Sequence, residues 1–163
     1  MLSQERLREV LFYDKEKGIF LWNIDTFLGR ARFGKVAGSL SNEGYVLISI
    51  DKKRYLAHRL AWLYVTGKWP QEYIDHKNTI RSDNRWNNLR EASKIQNGGN
   101  RKRTKNKKSG LPKGVYKHEN NYRAQLVGRK EGKNLGTYKS IEEAVQAYEK
   151  AAKKHFGEFY RPD

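Results

Sequence analysis

The 163-residue chain contains no cysteine. That excludes disulfides, a thiolate nucleophile and zinc–thiolate ligation, and it leaves oxygen and imidazole as the donors for any metal. No apolar run approaches the ~20 residues that cross a bilayer. The N-terminus, MLSQERLREV, carries no signal-peptide core, so the expectation is a soluble cytoplasmic protein without a membrane partner. No internal repeat is evident. One stretch, residues 98–110 (GGNRKRTKNKKSG), lacks both acidic and apolar residues.

What is abundant is positive charge. Thirty-four basic residues stand against 18 acidic ones, a net of +16 with a pI near 10.0. Such an excess implies a polyanionic partner, a nucleic acid or an anionic membrane. Four tryptophans and ten tyrosines exclude a merely disordered basic tail, because these rings build cores. The charge is uneven: residues 1–97 carry 17 basic and 11 acidic residues, residues 98–110 six basic, and residues 111–163 eleven basic and seven acidic. The middle stretch cannot offset the entropy of its own ordering, which predicts a basic flexible linker at 98–110 between modules at 1–97 and 111–163.

The predicted class is α+β. In the first module Ser3 can cap a helix carrying Leu7, Val10 and Leu11 on one face. Strands follow at Ile19 to Trp22, Tyr45 to Ile50 and Tyr55 to Ala57, with a turn at Asp51-Lys52-Lys53. A helix over Arg59 to Val65 stops at Gly67. The chain then reads strand (Tyr73 to His76), polar loop, short strand (Leu89 to Ala92) and a helix opened by Ser93 and bearing Asn97. Trp22, Trp62, Trp69 and Trp86 are expected in the core. The second module reads as three antiparallel strands, Gly114 to His118, Tyr122 to Val127 and Asn134 to Tyr138, turned around Lys130-Glu131-Gly132. A helix capped by a Ser140/Glu143 box and closed by Gly157 supplies their second layer.

The most informative pattern is Asp75-His76 followed by Asn88 and Asn97, at steps of 12 and 9 residues from the histidine. Asp75 and Asn97 offer hard oxygens for a divalent cation, His76 a base near neutral pH, and Asn88 a partner to aim that base. Each has a plain alternative. Asn84, Asn87 and Asn88 also suit turns, Asn97 suits a helix end before Gly98-Gly99, and a lone histidine is more often structural. Arg81, Arg85 and Arg90 suit phosphate clamping and equally suit a solvated loop. His58 suits contact with DNA or metal, but beside Arg59-Leu60-Ala61-Trp62 it is assigned to ordering the fold; His118 and His155, with no constellation around them, suit surface or packing roles.

His58-Arg59-Leu60, Ile74-Asp75-His76, Asp83-Asn84-Arg85, Asn88-Leu89-Arg90 and Gln96-Asn97 together resemble the HNH nucleases of phage and intron homing endonucleases, over roughly residues 35–100. The third motif position is Asn97, a variant in which an asparagine oxygen ligates metal. The resemblance implies a ββα-metal fold with one divalent ion, magnesium first and manganese second, held by Asp75, Asn97 and the scissile phosphate. It implies that His76 deprotonates water, that Asn88 holds the imidazole, and that a monomer nicks double-stranded DNA, a dimer on DNA being needed to cut both strands. It places the protein in a bacterial or phage-infected cell. A non-catalytic DNA-binding regulator and an RNA-directed protein are the rivals.

In the second module, Lys113-Gly114-Val115, Tyr122-Arg123-Ala124, Leu135-Gly136-Thr137-Tyr138, Glu142-Glu143-Ala144 and Phe156-Gly157-Glu158 resemble the Apetala-type (ethylene-response-factor) DNA-binding domain. That domain lays a three-stranded sheet in the major groove. Tyr116 and His118 stand where the plant domains place arginines, so base preference does not carry over. Tyr116, His118, Arg123, Gln125 and Arg129 are candidate base readers, with Lys113, Lys117, Lys130 and Lys133 suited to phosphates, and some of these alternate residues equally suit simply facing solvent. Arg101, Lys102, Arg103, Lys105, Lys107 and Lys108 of the linker are expected along the backbone or minor groove.

Overall fold

The computed structural model describes residues 1–25, 32–100, 110–126 and 133–162, without the side chains of 98 and 99. Its contacts divide the chain into a unit Met1–Ala92 and a unit Ser93–Asp163. Among the described residues no helix is long and apolar enough to cross a membrane.

In the first unit, helix α1 (Gln4–Val10) starts at Ser3, whose side chain accepts the Arg6 N–H. The apolar face expected to run through Leu11 ends one residue earlier. Leu11 instead opens strand β1 (Leu11–Asp14), paired antiparallel with β2 (Ile19–Trp22). Strand β3 (Ser39–Leu40), β4 (Val46–Ile50) and β5 (Lys53–Leu56) form a second antiparallel sheet in that order. The β4–β5 turn places Asp51 and Lys52 at φ 48° and 63°, the doubly left-handed geometry that matches hairpin twist. Arg6 holds it with two hydrogen bonds to the Asp51 carboxylate, at 3.1 and 2.9 Å.

Helix α2 (Ala57–Thr66) buries Leu60, Ala61 and Leu63 and ends on left-handed Gly67, whose N–H reaches Leu63 O at 3.0 Å. These side chains join Leu7, Val10, Leu11, Tyr13, Phe20, Ile48 and Ile50 in one core. Burying each large side chain contributes about 1.5–3 kcal/mol. The four tryptophans, expected in the core, are only half-buried: Trp22, Trp62 and Trp69 pack on its margin and Trp86 lies against Trp62, ring centres 5.1 Å apart. Strands β6 (Tyr73–His76) and β7 (Leu89–Ala92) complete the unit as an antiparallel pair.

The second unit opens with α3 (Lys94–Gly99), which packs on α4 (Ile141–Phe156). Ser93 and Gln96 cap it reciprocally, at 3.2 and 2.8 Å. Strands β8 (Val115–His118), β9 (Asn121–Leu126) and β10 (Lys133–Tyr138) form an antiparallel sheet with β9 central. Its face bearing Val115, Ala124 and Leu126 is buried, as are Ala144, Tyr148, Ala152 and Phe156 of α4, the helix that packs on this sheet. The Ser140/Glu143 capping box starts α4. Gly114 has no side chain because a Cβ there would lie 2.1 Å from the Tyr148 ring. The expected turn at 130–132 lies outside the described residues.

Candidate active site

The site residues of the first unit sit on the β6–β7 hairpin and its loop. Pairing is in register, with Asp75 opposite Arg90 and His76 opposite Leu89. Successive strand residues face opposite ways, so Asp75 and Arg90 share one face. Arg90 donates from Nε to one Asp75 oxygen at 2.9 Å, and a terminal nitrogen forms an ion pair with the same oxygen at 2.9 Å. The two side chains are only 12% and 6% exposed.

His76 is 5% exposed, and its Nε2 lies 3.1 Å from Asn84 Oδ1. Asn84 Nδ2 points instead to Ser82 O, which leaves the amide oxygen for the ring. A carboxamide oxygen only accepts, so Nε2 carries the proton and Nδ1 keeps the lone pair. Burial lowers the His76 pKa, opposed by the Asn84 hydrogen bond and the Asp75 charge. The net shift favours the neutral imidazole, the form a general base needs.

Asn84 is itself fixed from the far side of the unit. It is 2% exposed, and its carbonyl accepts the Tyr13 hydroxyl at 2.5 Å. Trp86 N–H bonds Lys15 O at 3.0 Å. Gly18 in the β1–β2 turn lies so close that a Cβ would stand 2.2 Å from Arg85 N and 2.5 Å from the Asn84 carbonyl carbon. The hairpin that the sequence left partly as helix is thus the buttress of the imidazole's partner.

Asn88, assigned to hold the imidazole, is found organising the loop. Its Oδ1 accepts Asn78 N–H at 3.0 Å, and its Nδ2 donates to Asn78 Oδ1 at 3.0 Å and Asp83 O at 2.8 Å. Asn84, named only as a loop residue in a matching motif, makes the hydrogen bond to the ring. No sequence signal separates the three carboxamides at 84, 87 and 88; only the loop path does. Asp83 accepts from Asn78 and from Arg85, whose hydrogen bonds hold its carboxyl down to about 2.

Two aromatic rings flank the imidazole. His58, on α2, is 5% exposed, and its ring stands edge-on to His76 with centres 5.0 Å apart. Tyr45 lies 5.3 Å from His58 and 6.2 Å from His76. Burial pushes the His58 imidazole down to about 3, reinforced by the charges of His76 and Arg59. Two buried histidines at this separation cannot both be charged.

The three arginines expected on phosphates all have protein partners. Arg81 bonds Glu43 O at 2.8 Å and lies 4.9 Å above the Tyr45 ring; Arg85 pairs with Asp83; Arg90 pairs with Asp75. Asn97 lies half-buried on α3, its N–H on Ser93 O at 2.9 Å, in the second unit. Among the described residues no three His, Cys, Asp or Glu side chains cluster as a metal site. One buried carboxylate oxygen suits a hard cation that retains most of its waters, and does not suit an imidazole- or thiolate-rich metal.

On the second unit, Tyr116, Arg123 and Thr137 are cross-strand partners on the sheet face turned from α4, and Gln125 shares that face. Tyr116 is exposed, and Arg123 and Gln125 are half-buried. Lys117 lies 4.5 Å above the Tyr122 ring, and Lys113 Nζ reaches Arg161 O at 3.3 Å. Arg101, Lys102, Arg103, Lys105, Lys107, Lys108, Arg129 and Lys130 lie outside the described residues.

Residues 55–98 match the family model of the HNH endonuclease, the segment from β5 to α3 that contains Asp75, His76, Asn84, Asn88 and Asn97. That segment is similar to an HNH endonuclease domain. The chain is also 35% identical over 127 residues to an uncharacterized HNH endonuclease of Acanthamoeba polyphaga mimivirus. That match covers 76% of this chain and 65% of the viral protein. No solved structure matches the chain.

Proposed function

We propose that the protein is a sequence-specific DNA endonuclease of the homing type, which hydrolyses one phosphodiester bond with a single divalent ion and His76 as general base. The observation that carries this is His76, buried, with Nε2 committed to Asn84 and Asp75 next to it on the strand. His76 Nδ1 takes a proton from the attacking water, and Asn84 keeps the ring in the required tautomer as it becomes charged. A base so placed supplies ~10²–10⁴-fold in rate. Asp75 would hold the ion, magnesium or manganese, whose chemistry is to offset charge developing on phosphate and leaving oxygen; Asn97 is the second ligand that the HNH resemblance implies.

One catalytic centre per monomer gives a nick. The exposed sheet face with Tyr116, Arg123 and Gln125, together with the linker cations, anchors the enzyme on double-stranded DNA. Tethering two modest binders raises effective concentration and lengthens the recognised site. The test is incubation of the protein with supercoiled plasmid and with a genomic library in Mg²⁺, compared with His76→Ala. The expected result is nicking by the wild type alone with equal DNA binding by both. Equal binding with nicking by neither would leave a DNA-binding regulator.

A further inference from the structure

Asp75 already has a cation on it. Arg90 stands directly opposite across the β6–β7 pair, and its Nε hydrogen bond and the ion-pair contact of a terminal nitrogen both meet one carboxylate oxygen at 2.9 Å. Neither side chain has much water around it, 12% and 6% exposed. A carboxylate this buried needs a compensating charge, and removing that charge is costly. Arg81 and Arg85 do not fill this role, being engaged by Glu43 and Tyr45 and by Asp83.

We propose that Arg90 is the resident counter-ion of Asp75 and that a divalent cation is bound only by displacing it, so that Arg90 sets the metal affinity of the site. The proposal rests on the reading of Asp75 as a metal ligand. A guanidinium and a divalent ion sharing one carboxylate repel strongly at such separations. The metal-free protein thereby keeps a neutralised, folded site. Metal uptake becomes favourable when a DNA phosphate brings further negative charge and accepts the released guanidinium, a fork suited to phosphate oxygens. The ion is thus coupled to substrate and is not held permanently.

The experiment measures Mn²⁺ binding by calorimetry, and the Mn²⁺-induced change in melting temperature, on the full chain without DNA. The proteins are wild type, Arg90→Gln, Arg90→Lys, Asp75→Asn and the double variant Asp75→Asn/Arg90→Gln. Arg90→Gln should melt lower than wild type without metal, bind Mn²⁺ at least about ten-fold tighter, and gain more melting temperature from it. Arg90→Lys, which keeps the charge but not the fork, should fall between them, and the double variant should lose the gain. If Arg90→Gln does not fold, the Arg90→Lys affinity decides. Arginine variants binding no tighter than wild type, with Asp75→Asn abolishing binding, would overturn the counter-ion role and leave the metal-ligand reading intact. Equally tight Mn²⁺ binding by Arg90→Gln and by the double variant would overturn both.

Discussion

An imidazole that must take a proton from water needs one nitrogen tied down and the other kept unprotonated. Asn84 does the first and burial the second. Replacing Asn84 by Ala should lower the single-turnover nicking rate by about 10–100-fold with DNA affinity unchanged, whereas Asn84→Asp, which keeps an acceptor, should retain more of it. The same burial predicts a pH dependence of stability. His58 and His76 titrate below their unfolded values, so below pH ~6.5 the unfolded chain binds protons that the folded chain refuses. Stability is fully present above that value and falls as pH drops toward the His58 value of about 3. The slope is ~1.4 kcal/mol per pH unit for each such proton. Urea melts at pH 7, 6 and 5 measure it, and His58→Gln should flatten the curve.

The elements explain what could be read from sequence and what could not. Helix α2 with its Gly67 stop, strand β6 and the capped α4 were legible because local signals agree there: apolar spacing, a left-handed glycine and a capping box. Strand β1 was hidden because Leu11 continues the apolar face of α1, and only pairing with Trp22 decides against helix. Asp75 and His76 stood out as a dipeptide. Asn84 did not, because its role depends on a loop path fixed by Tyr13, 71 residues away in sequence. Arg90 looked like any loop cation until the register set it opposite Asp75. Gly18 ties these elements together. Gly18→Ala combines φ 68° with a 2.2 Å approach to Arg85, so it should cost ~1–3 kcal/mol in chemical denaturation and also slow nicking by shifting Asn84.

At the scale of the molecule, +16 of charge makes affinity an ionic-strength effect before it is a matter of sequence. Replacing Arg101, Lys102, Arg103 and Lys105 by Gln should reduce the slope of log affinity against log salt by about 3–4. It should weaken cognate and random DNA alike, whereas Arg123→Ala or Gln125→Ala should weaken only the cognate site. The general base would then lie on the β6–β7 hairpin and recognition on the β8–β10 sheet. The central claim is that His76 and one divalent ion make the protein a DNA hydrolase. Mapping new DNA ends in a genomic library tests it most directly. Recurrent breaks at fixed positions with wild type in Mg²⁺, none with chelator and none with His76→Ala that still binds DNA, is the predicted result. Breaks at the same positions and rate with His76→Ala would contradict it.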